Sequence, residues 1–193
     1  GSHWCDLVEW VSGERFAEVS AAFATVIAER GAVTGQSFTT PAAGGTTQAV
    51  SSEDVATAML RTSAGTLASL TVSQVSAGRH NRLWFEIDGA RASVAFNQED
   101  AERLWIGRPD QREDSFVRGP GAGSAEQRRL SVLPAGHAQG YGNCFEAFVA
   151  DTYRAIAGEQ PEGLPTFDDG LRSARIVTRV IASARSRAWT AID

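Results

Sequence analysis

Three histidines, His3, His80 and His137, are the side chains here best suited to move a proton near neutral pH, because an unperturbed imidazole titrates at about 6.5. All 18 basic residues are arginine. No lysine amine is therefore present to act as an acid, a base or a Schiff-base former. His137 stands just before a helical pattern. A helix N-terminus offers backbone donors to ligand oxygens, and its dipole opposes protonation of a nearby imidazole. Two readings stand for His137: a group aimed at ligand oxygens, or a local hydrogen bond to a loop carbonyl. Arg79, His80 and Asn81 form a polar group just before a strand pattern. They either reach substrate hydroxyls or make a solvated turn. Asn97, Gln98, Glu99 and Asp100 look like an acidic cluster. A hard cation needs converging oxygens, whereas neighbouring strand residues point apart. The reading is a structural turn, with no metal site.

Composition narrows the partners. The chain has 193 residues, a net charge of -5 and 42% hydrophobic residues. That length suits one domain with one sizeable core. The acidic balance and the lack of basic runs argue against nucleic acid. No apolar stretch reaches the roughly 18 residues a membrane helix needs, and no signal peptide is visible, so the expectation is a cytoplasmic protein with no membrane partner. Cys5 and Cys144 stand far apart, which fits two buried reduced thiols better than a zinc site or a disulfide. Gly119-Pro120-Gly121-Ala122-Gly123-Ser124 is glycine-rich, but its spacing and context do not make a phosphate cradle. It reads as a mobile surface loop. No cofactor-binding residue is expected in this chain.

The elements that must position these groups follow from periodicity. Leu7, Val8, Trp10 and Val11 make a helical stripe, and Gly13 caps it. From Val19 the pattern alternates with period two as far as Ile27. Residues 31–52 read as a long loop. Asp54–Thr62 and Thr66–Ser76 make a hairpin through Ser63-Ala64-Gly65. Leu83–Asp88 and Ala90–Phe96 make another through Asp88-Gly89, a turn pair that favours positive φ. Leu104–Ile106 turns back through Arg108-Pro109-Asp110 toward Ser115–Val117. Two helices follow. Phe145, Phe148, Val149, Thr152, Tyr153 and Ile156 share one face of the first; Leu171, Ala174, Val177, Val180, Ile181 and Ala184 share one face of the second. Trp189–Ile192 adds a short strand. Four of the five tryptophans, Trp10, Trp84, Trp105 and Trp189, are assigned to core or subunit interface. The sum is an α+β fold: one large, mostly antiparallel, open-faced sheet with helices on one face.

Four segments, in order, resemble the C-terminal domain of the Gfo/Idh/MocA oxidoreductases, the family of glucose–fructose oxidoreductase and inositol dehydrogenase. Gly1-Ser2-His3-Trp4-Cys5-Asp6 is similar to that family's D-x-G-x-H-x-x-D without its leading Asp. Gly78-Arg79-His80-Asn81-Arg82-Leu83 leads on to Phe96-Asn97-Gln98-Glu99-Asp100, similar to W-x-Q-E-D. Gly136-His137-Ala138-Gln139-Gly140-Tyr141 has the G-H-x-x-G-Y pattern, and Pro165-Thr166-Phe167-Asp168-Asp169-Gly170 is close to P-T-F-x-D-G.

The resemblance implies a two-domain parent whose first half is a Rossmann domain holding NAD or NADP. Residues 1–193 would then be a single substrate and oligomerisation domain, inert alone. The implied reaction is hydride transfer between a carbinol carbon of a sugar, inositol or related polyol and the nicotinamide. His3 takes the family position of the proton-handling, catalytic histidine. Gly-Ser-His is also a common expression-tag remnant, but Trp4 and the residues after it fit the family. His137 and Tyr141 face the substrate cleft in this picture, with Arg79 and Asn81 as further substrate-binding candidates; Tyr141 alternatively packs beneath the loop. Copies would pair as a dimer or tetramer through the open sheet. Two rivals are kept. One is a non-catalytic, self-associating β-sheet module, with Val26, or Leu70 and Val72, on the outward face. The other is an unrelated α+β small-ligand-binding domain.

Overall fold

The computed structural model describes residues 1–31, 47–110, 112–121 and 123–193. Most of the loop expected over 31–52, and Ala122 of the glycine-rich segment, lie outside the described residues. The elements are helices α1 (Ser2–Ser12), α2 (Ala125–Leu130), α3 (Tyr141–Ile156) and α4 (Phe167–Ser186), with ten strands. The strands are β1 (Phe16–Ala24), β2 (Glu29–Gly31), β3 (Thr47–Ala49), β4 (Val55–Thr62), β5 (Leu67–Ser73), β6 (Trp84–Asp88), β7 (Ser93–Asn97), β8 (Arg103–Gly107), β9 (Glu113–Val117) and β10 (Thr190–Ala191). Every recorded pairing is antiparallel. The α+β, antiparallel class is the observed one. The strands are shared between two four-stranded sheets, β10-β1-β4-β5 and β6-β7-β8-β9, plus the ribbon β2-β3. The chain correspondingly divides into two compact units. Among the described residues, no helix is long and apolar enough to cross a membrane.

The first unit holds Gly1–Cys5, Glu9–Gly78 and Ser173–Asp193. Its core lies on one face of β1 and β4, where Phe16, Val19, Ala58 and Leu60 are buried. Phe16 and Val19 are three residues apart yet share that face, because a bulge at Ala17 inserts one residue into β1. The strand stops at Ala24 rather than Ile27. Asp54 causes the stop: its Oδ2 accepts the amides of Val26 (2.7 Å) and Ile27 (2.8 Å), which removes them from any ladder. Arg30 pairs with the same carboxylate. Leu70 pairs with Ala58 and Val72 with Ala56. Both therefore face the buried side rather than outward; the exposed face carries Thr57, Met59, Arg61, Leu67, Ser69 and Thr71.

Helix packing departs from the simple stripes. In α1 the buried residues are Cys5, Val8 and Glu9, while Trp10 and Val11 are exposed. Glu9 is drawn inward because its carboxylate accepts the Phe16 amide at 2.7 Å and an Arg15 nitrogen at 3.0 Å. Gly13, at φ 72, ends the helix as expected. In α4 the buried line is Ile176 and Ser183 rather than Leu171 and Val177, which are exposed. Ser183 decides this: its hydroxyl accepts the Ala21 amide of β1 (3.0 Å) and donates to the Ala188 carbonyl (2.7 Å). Of the four tryptophans assigned to core or interface, Trp10, Trp84 and Trp189 are exposed.

The second unit holds Asp6–Val8 and Arg79–Arg172. The β6–β7 connection is a four-residue loop, Gly89–Ala92, closed by the Gly89 amide on the Ala92 carbonyl at 3.0 Å. Asp88 already pairs with Ser93, so no two-residue turn forms and Gly89 does not adopt positive φ. Residues 98–100 make a 3-10 turn, with the Asn97 side chain accepting the Glu99 amide. The expected mobile segment 118–127 runs into α2, capped by Ser124. α2 and α3 are tied by Arg129, whose two terminal nitrogens each lie 2.9 Å from the buried Asp151 carboxylate. Cys144 lies exposed on α3, contrary to the expected burial, while Cys5 is buried; neither is in a disulfide among the described residues.

Two stability measurements follow. Leu60 is 0% exposed, so Leu60→Ala is expected to cost about 2–5 kcal/mol in urea unfolding. Backbone hydrogen bonds from Ile27 and Val26, aided by Arg30, hold Asp54 below its ordinary 3.8. That stabilisation is complete above the unfolded value and is lost as pH falls through the lower, folded one. Asp54→Asn is therefore expected to flatten the acid limb of a pH–stability profile while lowering stability at neutral pH.

Candidate functional site

His3 lies in the first turn of α1 with its side chain exposed. The residues beside it hold the turn in place. Trp4 stacks on Phe16 with ring centroids 6.3 Å apart and planes 5° from parallel, and Cys5 is 2% exposed. The imidazole is thus presented to solvent from an anchored backbone.

Arg79 and Asn81 lie in the exposed turn before β6. The turn is held by Gln98: its amide donates to the Leu83 carbonyl (2.9 Å) and its side chain to the Asn81 carbonyl (3.4 Å). Arg82 stacks on Trp84 at 5.6 Å. Among the described residues, no hydrogen bond or ion pair joins this turn to His137 or Tyr141.

His137 and Tyr141 belong to the ten-residue connection between α2 and α3 and its junction with α3. Pro134 to His137 form a turn closed by the His137 amide on the Pro134 carbonyl at 3.1 Å. Gly136 occupies its third position at φ 84, the left-handed geometry that suits glycine. The His137 ring is exposed and makes no hydrogen bond among the described residues. Its main-chain carbonyl is the engaged group, accepting from Arg118 at 2.8 Å. Tyr141 does not pack beneath the loop: it is 80% exposed and tilts against Phe145 at 4.7 Å.

Three further residues hold this loop, and the sequence reading did not single them out. Arg118 donates to both oxygens of Glu102 (2.8–3.2 Å), to the Leu133 carbonyl (2.8 Å) and to the His137 carbonyl. Glu102 also accepts the Gln139 amide at 2.9 Å. The Gln139 side chain accepts the amides of Val132 (3.0 Å) and Leu133 (3.4 Å) and donates to the Leu130 carbonyl (2.6 Å). The Arg118 hydrogen bonds, then the Gln139 amide, hold Glu102 below the usual carboxylate range. The signal was present in the sequence. β8 pairs with β9 so that Arg103 faces Val117, and one step further places Glu102 opposite Arg118, an opposite-charge cross-strand pair.

Residues 1–95 match the model of the GFO/IDH/MocA C-terminal domain. The first half of the chain belongs to the GFO/IDH/MocA family. No curated protein matches the chain. Among solved structures, the chain is similar along its whole length to an oxidoreductase domain protein from Kribbella flavida, at 30% identity and TM-score 0.83, covering 50% of that chain. It is similar to levoglucosan dehydrogenase in complex with NADH and L-sorbose, at 26% identity and TM-score 0.82, covering 100% of this chain and 49% of that one. An oxidoreductase from Sinorhizobium meliloti matches at 25% identity and TM-score 0.78, over 98% of this chain and 50% of that one. The chain spans about half the length of the structures it matches.

The turn that carries His137 is open to a direct check. A Cβ at Gly136 meets nothing within 4 Å, so Gly136→Ala is opposed only by backbone conformation, about 1 kcal/mol. The expected result is a small loss of stability, with amide shift changes confined to residues around His137 in a two-dimensional NMR spectrum.

Proposed function

We propose that this chain is the substrate-side half of a cytoplasmic NAD(P)-dependent oxidoreductase acting on a sugar, inositol or related polyol, with no nucleic-acid or membrane partner. The observation that carries the reading is the end-to-end likeness to levoglucosan dehydrogenase solved with NADH and L-sorbose. The exposed, anchored His3 supports it. In this reading His3 takes the proton from the substrate hydroxyl while the carbinol hydrogen leaves as hydride, so that alcohol becomes carbonyl. The nicotinamide, held by a Rossmann half outside these residues, supplies the hydride acceptor. No residue of this chain is assigned to hold it. The strand before the glycine-rich segment, β9, is antiparallel to β8, and the helix after it, α2, has only six residues, so the segment lacks the parallel βαβ setting of a dinucleotide cradle. The polyol hydroxyls are assigned to His137 and Tyr141, with Arg79 and Asn81 as further candidates.

The exposed face of the β10-β1-β4-β5 sheet is assigned to a second copy of the chain. Ser20, Ala22, Thr57, Ser69 and Thr71 make much of it small or polar, beside the larger Met59, Arg61 and Leu67. Short side chains let a second sheet approach to about 10 Å.

The test is an NAD(P)H absorbance assay of the two-domain parent against a panel of sugars and inositols. His3→Ala is expected to lower kcat/KM about 10²- to 10⁴-fold, the usual contribution of a positioned acid–base group. Stability should change by no more than about 0.5 kcal/mol, because the side chain is exposed. Unchanged turnover in the variant removes His3 from the chemistry. A parent inert toward every polyol favours a self-associating module without catalysis.

A further inference from the structure

We infer that Arg118, fixed by Glu102, is the positioning residue that sets the place of the His137 loop for polyol binding; this rests on the substrate role proposed for His137. Residues 131–140 contain no helix or strand. A connection between helices typically needs about 2–8 residues, so ten residues are long for the connection alone, and an untied loop of that length moves. This one is tied from outside. Arg118 follows β9 directly and Glu102 precedes β8 directly. Their main chains are joined as well, the Arg118 amide donating to the Glu102 carbonyl at 3.1 Å. The pair is therefore rooted in the end of a β ladder, a rigid base.

The chemistry of the clamp is specific to its residue types. Arg118 has a side chain only 16% exposed and Glu102 one only 24% exposed. The planar guanidinium meets the carboxylate along its Nε–Nη2 edge, while Nη1 donates to the Leu133 carbonyl and Nη2 donates also to the His137 carbonyl. A lysine ammonium is a point charge and cannot span that set. With four of its five N–H donors committed to protein acceptors, Arg118 is assigned to hold the loop rather than the ligand. Its effect passes through the His137 main chain, whose carbonyl is pinned while the ring projects freely into solvent. Gln139 closes the loop on itself and hands its amide to Glu102. One carboxylate thus fixes both the arginine and the far end of the loop. Pinning a main chain on both sides of an unbonded imidazole serves a ligand that must find the ring in a fixed place.

The experiment uses the two-domain parent with Arg118→Met, Arg118→Lys and Glu102→Gln. Steady-state kinetics are read separately for polyol and for nicotinamide, and amide hydrogen exchange is followed across residues 130–141. Arg118→Met is expected to raise exchange at Val132, Leu133 and Gln139 and to lower polyol kcat/KM about 10- to 100-fold, the scale of a misplaced binding group. The nicotinamide KM should stay within about twofold, since uniform binding of that ligand is untouched. Arg118→Lys and Glu102→Gln should fall between wild type and Arg118→Met, and they carry the test if the methionine variant does not fold. A wild-type parent that turns over polyols, with a polyol kcat/KM indifferent to all three variants, overturns this inference alone. Equal losses for polyol and nicotinamide, tracking melting temperature, also overturn it, because they mark a purely structural pair. A wild-type parent that turns over no polyol overturns the functional reading, and this inference with it.

Discussion

A guanidinium withdrawn from water must find acceptors on several sides, and Arg118 finds them in three separate pieces of chain. The carboxylate comes from the residue before β8, and the carbonyls come from both limbs of the loop between α2 and α3. The second unit organises itself around this requirement. The β8–β9 ladder brings Glu102 and Arg118 opposite each other. The glycine turn at 136 bends the loop so that its carbonyls point back at the sheet end. Gln139 fills the main-chain valences that a loop without a ladder leaves open. Asp54 plays the corresponding part in the first unit. There a buried carboxylate takes two amides beyond the end of β1 and so decides where the strand stops.

How much of this was legible in the sequence depended on the kind of interaction. Elements governed by local periodicity were readable: the hairpin through Gly65, the helix capped by Gly13, and a short strand at the chain end, observed at Thr190–Ala191. Elements governed by a polar side chain reaching a distant main chain were not. Ser183 turns α4 about its axis by bonding the Ala21 amide, 162 residues away in sequence. Glu9 does the same for α1 through Phe16. Apolar spacing places the stripe on Leu171 and Val177, or on Trp10 and Val11, because it has no term for a buried hydroxyl or carboxylate that must be satisfied. Asp88-Gly89 misled for a related reason: the last ladder pair, Asp88 with Ser93, left four residues to close rather than two.

The candidate site divides in the same way. His3, His137 and Tyr141 were found by residue type and motif, and the structure leaves all three exposed. Arg79 and Asn81 were found as a polar run, and the structure shows a turn held from behind by Gln98. Of the residues that hold the His137 loop, Glu102 and Arg118 belong to no motif and Gln139 fills a variable position of one. Their significance arises only when strand register sets one opposite another. α3 is a further case. Its apolar spacing was plain in sequence, yet Phe145, Phe148, Val149, Tyr153 and Ile156 are each more than two-fifths exposed, so periodicity identified the stripe without identifying what it meets.

The bulge at Ala17 works as a phase correction. Upstream of it, Phe16 is fixed by what α1 demands, with Glu9 on its amide and Trp4 against its ring. Downstream, Val19, Ala21 and Phe23 are fixed by what β4 demands, through pairs with Leu60, Ala58 and Ala56. A strictly alternating strand would force one of these two sets of contacts to point the wrong way. The inserted residue lets the helix anchor and the ladder be tuned independently, and its own carbonyl receives the Ile192 amide at 2.7 Å. Without that residue, either Phe16 would turn away from the helix that displays His3 or Val19 would turn away from the core.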